Sequence, residues 1–410
     1  MRQRLEYEEL DRIDPLARFR REFILPDGLV YLDGNSLGAP PRGARERILK
    51  LLDEEWGRDL VQSWNRHDWI GLPQKVGAAI APLIGAGRDE VIAADSTSVN
   101  LFKLLIAALR LRSSRRSIIA LAGDFPTDLY IAQGVAESNS DLKLRIVEKE
   151  ELETVVDAGT AVVMMNHVNF RTGAINDMAG VTALAHRHGA LVIWDLCHSA
   201  GVMPVELNVC HVDFAVGCGY KYLNGGPGAP AFLFAARQHH DAIHPLISGW
   251  MGHAEPFEFD SRYRPAAGVR RNLSGTPPIL SLAALDAALE LFKHADMHLV
   301  REKSMRLGDA FIELTAPLRD EFGFGLISPA DAHRRGSQVA LTHPEGFAIM
   351  QALIARGVVG DFRAPDILRF GFSPLYNRYA EVWDAARRLE EIMRQREWAR
   401  PEFNLQRAVT

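Results

Sequence analysis

Five short apolar runs, SIIALAGD, AVVMMN, ALVIWD, DFAVGCGY and APAFLFA, lie between residues 117 and 235. Each has the length of a strand and mostly lacks the polar alternation of a half-exposed sheet. Such strands must be covered on both faces. Between AVVMMN and ALVIWD, the stretch MAGVTALAHRHG has helical spacing and ends on Gly189, a residue suited to a helix stop. Strand, helix and strand in that order make a βαβ unit, whose crossover joins parallel strands. The chain is therefore expected to be α/β, with a mainly parallel central sheet and helices on both faces. Further helices are expected from Pro41 to about Leu60, where Ile48, Leu49, Leu52 and Trp56 share a face, and from Ser98 to Arg110.

The pattern changes after Thr276. Pro277 and Pro278 break the chain, and a helix with Leu282, Leu285, Leu289 and Phe292 on one face follows. Beyond it come a second helix to about Leu314, the run SQVALTH, the helix GFAIMQALIARG, two short strands (VVGDF and ILRFGF) and a last helix from about Tyr379. With 410 residues the chain is too long for one small domain. A large domain over 1–300, with an N-terminal segment over about 1–40, and a small α+β domain over 301–410 are expected.

A charge balance of 47 basic against 52 acidic residues offers no basic excess to hold a nucleic acid backbone. Three cysteines cannot build a disulfide framework. The stretch MRQRLEYEELDRIDPLARF alternates charge and has no signal-like apolar core, and no run has the ~18 apolar residues of a membrane span. A soluble cytoplasmic protein without nucleic acid or membrane partners is expected. Cys197–His198 and Cys210–His211 match no compact zinc spacing, so no metal is expected. His186, His188, His239 and His240 read as surface residues.

Asp195 ends one apolar run and Lys221 follows the next, just before the glycine-rich LNGGPG. Ligands of parallel sheets gather at the carboxyl ends of the strands. A lysine and an acid placed there match what pyridoxal phosphate requires. The lysine forms a Schiff base, and the acid keeps the pyridine nitrogen protonated so that the ring accepts electrons.

Eight strings in order along nearly the whole chain carry a closer likeness: GNSLG (34–38), DFPTD (124–128), HVNFRTG (167–173), WDLCHSAG (194–201), YKYLNGGPG (220–228), SGWMGH (248–253), LSGTPPIL (273–280) and RFGFSPLYN (369–377). Together they resemble the kynureninase family of fold-type I pyridoxal phosphate enzymes. The resemblance implies that Lys221 carries the cofactor, Asp195 pairs with the ring nitrogen, and His198 lies beside it. It implies that Phe125 stacks on the ring and that Pro126, Thr127 and Asp128 line the same site. Asn166 would donate to the ring's phenolic oxygen, and the Tyr220 hydroxyl to the phosphate. Thr97 and Ser98, at a helix start, would offer backbone N–H groups to the phosphate. Trp250 and Thr276 would reach it from a second subunit, which implies a homodimer. Arg369 would clamp the substrate's α-carboxylate with a bidentate fork, with Asn35 and Trp64 also facing the substrate.

The implied reaction is hydrolysis of L-kynurenine to anthranilate and L-alanine in tryptophan degradation. Bulky Trp64 leaves little room for a ring hydroxyl, so L-kynurenine is expected to be preferred over its 3-hydroxylated form. The rivals within the fold type are class V aminotransferases and cysteine desulfurases. A desulfurase needs a nucleophilic cysteine on a mobile loop in its later half, and the last cysteine here is Cys218. A nucleotide-binding Rossmann protein lacks support, because no G-x-G-x-x-G follows an early strand.

Overall fold

The computed structural model describes residues 3–405. Seven strands form the central sheet in the order Val91–Ala93, Phe232–Ala235, Phe214–Gly217, Leu191–Asp195, Thr160–Asn166, Ser117–Leu121, Lys143–Val147. The strand Phe232–Ala235 runs against its two neighbours, and the other pairings are parallel. All five apolar runs thus become strands of one mainly parallel sheet. Their residues alternate between two separate cores. Val192 and Trp194 enter one core with Phe232, Phe234, Leu282 and Leu285; Leu191 and Ile193 enter the other with Leu104, Leu105, Ile118 and Phe214. Both faces are buried, which is why these strands carry no polar stripe.

The expected helices form at Thr97–Leu111, Met178–Arg187, Ile279–Leu289, Gly346–Ala355 and Tyr379–Gln395. Gly189 has φ +73°, the left-handed conformation that a helix stop requires. The stretch after Pro41 is helical over Arg42–Lys50 and continues in wider turns over Leu51–Asp59. The edge strand Lys143–Val147 escaped the sequence reading because four of its five residues are exposed or half-buried and two charged residues, Lys143 and Arg145, interrupt the apolar run.

A second, antiparallel sheet has the order Asp361–Arg363, Ile367–Gly371, Gln338–Thr342, Gly325–Leu326. Helix Met297–Phe322 joins the two units. Its Val300 is buried in a core of the large sheet, whereas Leu307 and Phe311 are buried against Phe370 and Phe372 of the small one. The N-terminal segment packs with both cores: Leu16, Phe19 and Phe23 are buried in that of the large sheet, Tyr7, Val30 and Leu32 in the second, and Val30–Tyr31 pairs in parallel with Val358–Val359. No helix among the described residues is long and apolar enough to cross a membrane.

Three histidines differ from their surface reading. His240 is buried, its Nε2 paired with the Ala235 carbonyl. His186 Nε2 and His239 Nε2 lie 2.8 and 2.7 Å from the two oxygens of buried Asp213, which also accepts from the Val192 N–H. Asp213 sits below the usual carboxylate range: burial pushes it up, but the His186 and His239 hydrogen bonds outweigh burial. Its bond to Asp213 raises His186 above its ordinary value, against the opposing effect of burial. A raised histidine contributes stability fully below its unfolded value and loses it as pH rises through the folded one. The stability margin of the wild type over His186→Ala should therefore be larger near pH ~6 than near pH ~9 in urea unfolding. Equal margins would refute this charge pairing.

Candidate active site

The carboxyl ends of the parallel strands converge on one cavity of ≈ 440 Å³. Asn166 and Asp195 end their strands, Lys221 follows Phe214–Gly217, and Phe125, Thr127 and Asp128 follow Ser117–Leu121. Helix Thr97–Leu111 starts at the same place. Its N-cap Ser96 accepts from the Val99 N–H at 3.3 Å, so the first-turn N–H groups of Thr97 and Ser98 have no partner within the helix. Thr97, Ser98, Phe125, Thr127, Asp128, Asn166, Asp195, His198, Tyr220 and Lys221 all line this cavity. Pro126 opens helix Pro126–Glu137 between two of them, at a position where its fixed φ suits the first turn.

Lys221 Nζ lies 2.9 Å from His198 Nε2 and 5.9 Å from the ring centres of both Phe125 and Tyr220. Burial, then the neighbouring Lys221 charge, pushes His198 well below its ordinary pKa. The imidazole is therefore neutral, and Nε2 accepts from the lysine. Asp195 is buried and accepts from the Cys197 N–H at 2.7 Å. Two further carboxyls crowd it. Burial pushes Asp124 up to about 8, and burial together with Asp195 and Asp124 pushes Asp128 well above the usual range. Neither shares the ionised state easily, because like charges in a buried site oppose one another. Burial likewise raises the Tyr220 hydroxyl, which keeps its proton at neutral pH.

The remaining expected residues lie outside this lining. Arg369 is buried, with Nε 2.6 Å from Asp361 Oδ1, Nη2 paired with Asp361 Oδ2, and Nη1 2.5 Å from the Phe170 carbonyl. Phe170 itself lines the cavity and meets Phe125 edge-on, with ring centres 5.2 Å apart. Asn35 is buried and donates to Gln338 Oε1 at 3.3 Å. Trp64 packs edge-on against Trp69, and Trp250 and Thr276 are exposed in the single chain. Sequence reasoning missed Asp124, Phe170 and Asp361. Asp124 accepts from Asn166 Nδ2 and so fixes that amide. Phe170 sits inside the HVNFRTG string, where an aromatic residue soon after a strand end was a usable signal.

The GNSLG string acquires a structural reason here. The Gly38 N–H donates to the Tyr220 carbonyl at 2.8 Å. A Cβ at Gly38 would stand 2.3 Å from the Lys221 carbonyl oxygen and 2.9 Å from Asn224 Cα, both backbone atoms. Gly38→Ala should displace the Lys221 loop, destabilise the protein by about 1–3 kcal/mol and weaken retention of any group bound to the lysine. Thermal unfolding and dialysis of the loaded protein would check this, and unchanged values for both would contradict the close approach.

The sequence and fold comparisons agree with this geometry. The model of the Kynureninase C-terminal domain matches residues 300–389, and that of the DegT/DnrJ/EryC1/StrS aminotransferase family matches residues 139–215. The chain is 48% identical to a kynureninase of Burkholderia mallei (strain SAVP1) over 416 aligned positions, covering 100% of both chains. It is also 48% identical to a kynureninase of Pseudomonas fluorescens, covering 98% of each. In fold it is similar to the cysteine desulfurase CsdA of Escherichia coli, with a TM-score of 0.78, 19% identity, and 93% and 98% of the two chains covered. At that identity the last likeness speaks for the fold alone, whereas full-length identity of 48% decides the family. The chain belongs to the kynureninase family.

Proposed function

We propose that this chain hydrolyses L-kynurenine to anthranilate and L-alanine with pyridoxal 5'-phosphate as cofactor. The observation that carries the reading is the meeting of Lys221, buried Asp195 and the start of helix Thr97–Leu111 in one cavity of a chain related along its full length to kynureninases. The donor set fits the cofactor: a primary amine, a buried carboxylate for a ring nitrogen, an aromatic face at Phe125, and free N–H groups for a phosphate. Once bound, the group supplies an electron sink conjugated to the substrate's α-carbon.

The protein's own groups have separable tasks. Lys221 Nζ would hold the cofactor and would be the base for the substrate's α-proton; His198 Nε2, 2.9 Å away, keeps that amine within the cavity. Asp195 holds the proton on the ring nitrogen, so its loss should lower kcat more than it raises KM. Asn166, fixed by Asp124, offers its amide to the ring oxygen. Tyr220, which burial keeps protonated at neutral pH, would donate to the phosphate and pass a proton to the departing alanine fragment. Arg369 binds the α-carboxylate. In the net reaction the Cβ–Cγ bond breaks, water's hydroxyl goes to Cγ and a proton goes to Cβ.

Exposed Trp250 and Thr276 support a homodimer in which each subunit completes the other's phosphate site. An apolar groove of ≈ 510 Å³ lined by Ile48, Leu49, Leu280 and the Gly225–Pro227 turn supports the same assembly. The desulfurase reading loses further ground, because Cys197 and Cys218 are buried and Cys210 is half-buried.

Protein loaded with pyridoxal phosphate and mixed with L-kynurenine should release anthranilate fluorescence, and Lys221→Ala should release none. No signal from a protein with the cofactor's absorbance band would move the function to amino-group transfer. L-kynurenine should be turned over faster than its 3-hydroxy form, and Trp64→His should narrow the difference. A wild-type preference for the hydroxylated substrate would sink the assignment of Trp64.

A further inference from the structure

Arginine has five N–H groups and two edges that can hold a carboxylate: Nε with Nη2, and Nη1 with Nη2. In Arg369 the first edge is already taken. Asp361 closes it with both oxygens, and Asp361 Oδ2 is held in turn by the Ser36 hydroxyl at 2.6 Å and Arg363 Nη2 at 2.7 Å. Arg369 and Asp361 are 2% and 1% exposed, so neither side chain reorients without leaving a charge buried and unpaired. The second edge is held by uncharged partners. Nη1 donates to the Phe170 carbonyl, and Nη2 reaches the Ser36 hydroxyl at 3.3 Å. Gln338 Nε2 also donates to the Phe170 carbonyl, at 3.0 Å. Two donors thus converge on one backbone oxygen beside the cavity, as they would on an oxygen of a carboxylate.

We propose that Asp361 is a positioning residue for substrate binding: it locks the inner edge of Arg369 so that the outer edge, on the side of the cavity-lining Phe170, is the one presented to the substrate's α-carboxylate. The inference rests on the reading of Arg369 as the carboxylate's partner and adds to it which edge is used and what fixes it. Two arginines, Arg369 and Arg363, face Asp361 here, with Asp33 beside them. Burial, then the Asp361 charge, pushes Asp33 up to about 7, so the group is left short of negative charge, which suits the arrival of one carboxylate.

The test uses loaded wild type, Asp361→Asn and Ser36→Ala, each titrated with L-kynurenine and with its decarboxylated analogue. Cofactor absorbance reads binding, and anthranilate fluorescence reads turnover. Asp361→Asn should raise KM for L-kynurenine about tenfold while kcat changes less than about threefold. Its affinity for the analogue should change less than about twofold, because that ligand carries no carboxylate. Ser36→Ala should shift KM in the same direction by about threefold, and it decides the matter if Asp361→Asn fails to fold or to hold cofactor. Equal weakening of both ligands, or an unchanged KM, overturns the proposal. Should the wild type bind both ligands without releasing anthranilate, the hydrolase reading falls while the ratio of the two affinities still decides the role of Asp361. If the wild type binds neither, both fall.

Discussion

Two-sided burial of the central sheet governs where chemistry can occur in this protein. Val192 and Trp194 point into one apolar core while Leu191 and Ile193 point into the other, so the body of that strand has no room for an ionisable group. Polar side chains are admitted where the strands end and backbone groups turn outward. Asn166 and Asp195 are the last residues of adjacent parallel strands and are register partners. Their side-by-side placement follows from sheet pairing rather than from any attraction between them. The same logic brings in Lys221 from the following loop and Asp128 from the first turn of helix Pro126–Glu137.

Concentrating these groups has an electrostatic consequence. Burial first, and then the neighbouring carboxyls, push Asp124 and Asp128 upward. A buried site with three carboxyls does not hold three negative charges, because the interior solvates them too poorly. The cluster thus matches a partner of limited positive charge, such as one protonated ring nitrogen. Asp124 in its protonated or ionised form still offers an oxygen to the Asn166 amide, which keeps that side chain aimed whatever its charge state.

Much of this was legible in the sequence because it depends on local pattern. Uninterrupted apolar runs specify covered strands, Gly189 specifies a helix end, and an acid and a lysine behind successive strands specify a strand-end site. The illegible parts depend on tertiary pairing. Lys143–Val147 lies at the sheet edge, where polar residues are tolerated, and so it lost the signal that marked its neighbours. The His186–Asp213–His239 cluster joins a helix end, a strand start and a short turn, which no spacing rule predicts. The Asp361–Arg369 pair is an intermediate case. Both short strands were visible, and the two residues are register partners, but only the antiparallel register puts them side by side.

That register also explains how the two units of the chain share one site. The segment 30–38 pairs with Val358–Val359 through Val30 and Tyr31, and it touches Gly371 through Asp33, Gln338 through Asn35 and Asp361 through Ser36. It then reaches the Tyr220 carbonyl through Gly38. Nine consecutive residues, 30 to 38, thus connect the strand carrying Arg369 to the loop carrying Lys221. Hydrolysis requires the substrate's carboxylate and its α-carbon to be held at a fixed separation, since a displacement of about 1 Å costs orders of magnitude in rate. In the proposed reaction, one short hydrogen-bonded segment bridging the strand of Arg369 and the loop of Lys221 would fix that separation. The glycines of GNSLG suit this task, because Gly34 and Gly38 lie against Tyr376 and Lys221 with no space for a side chain.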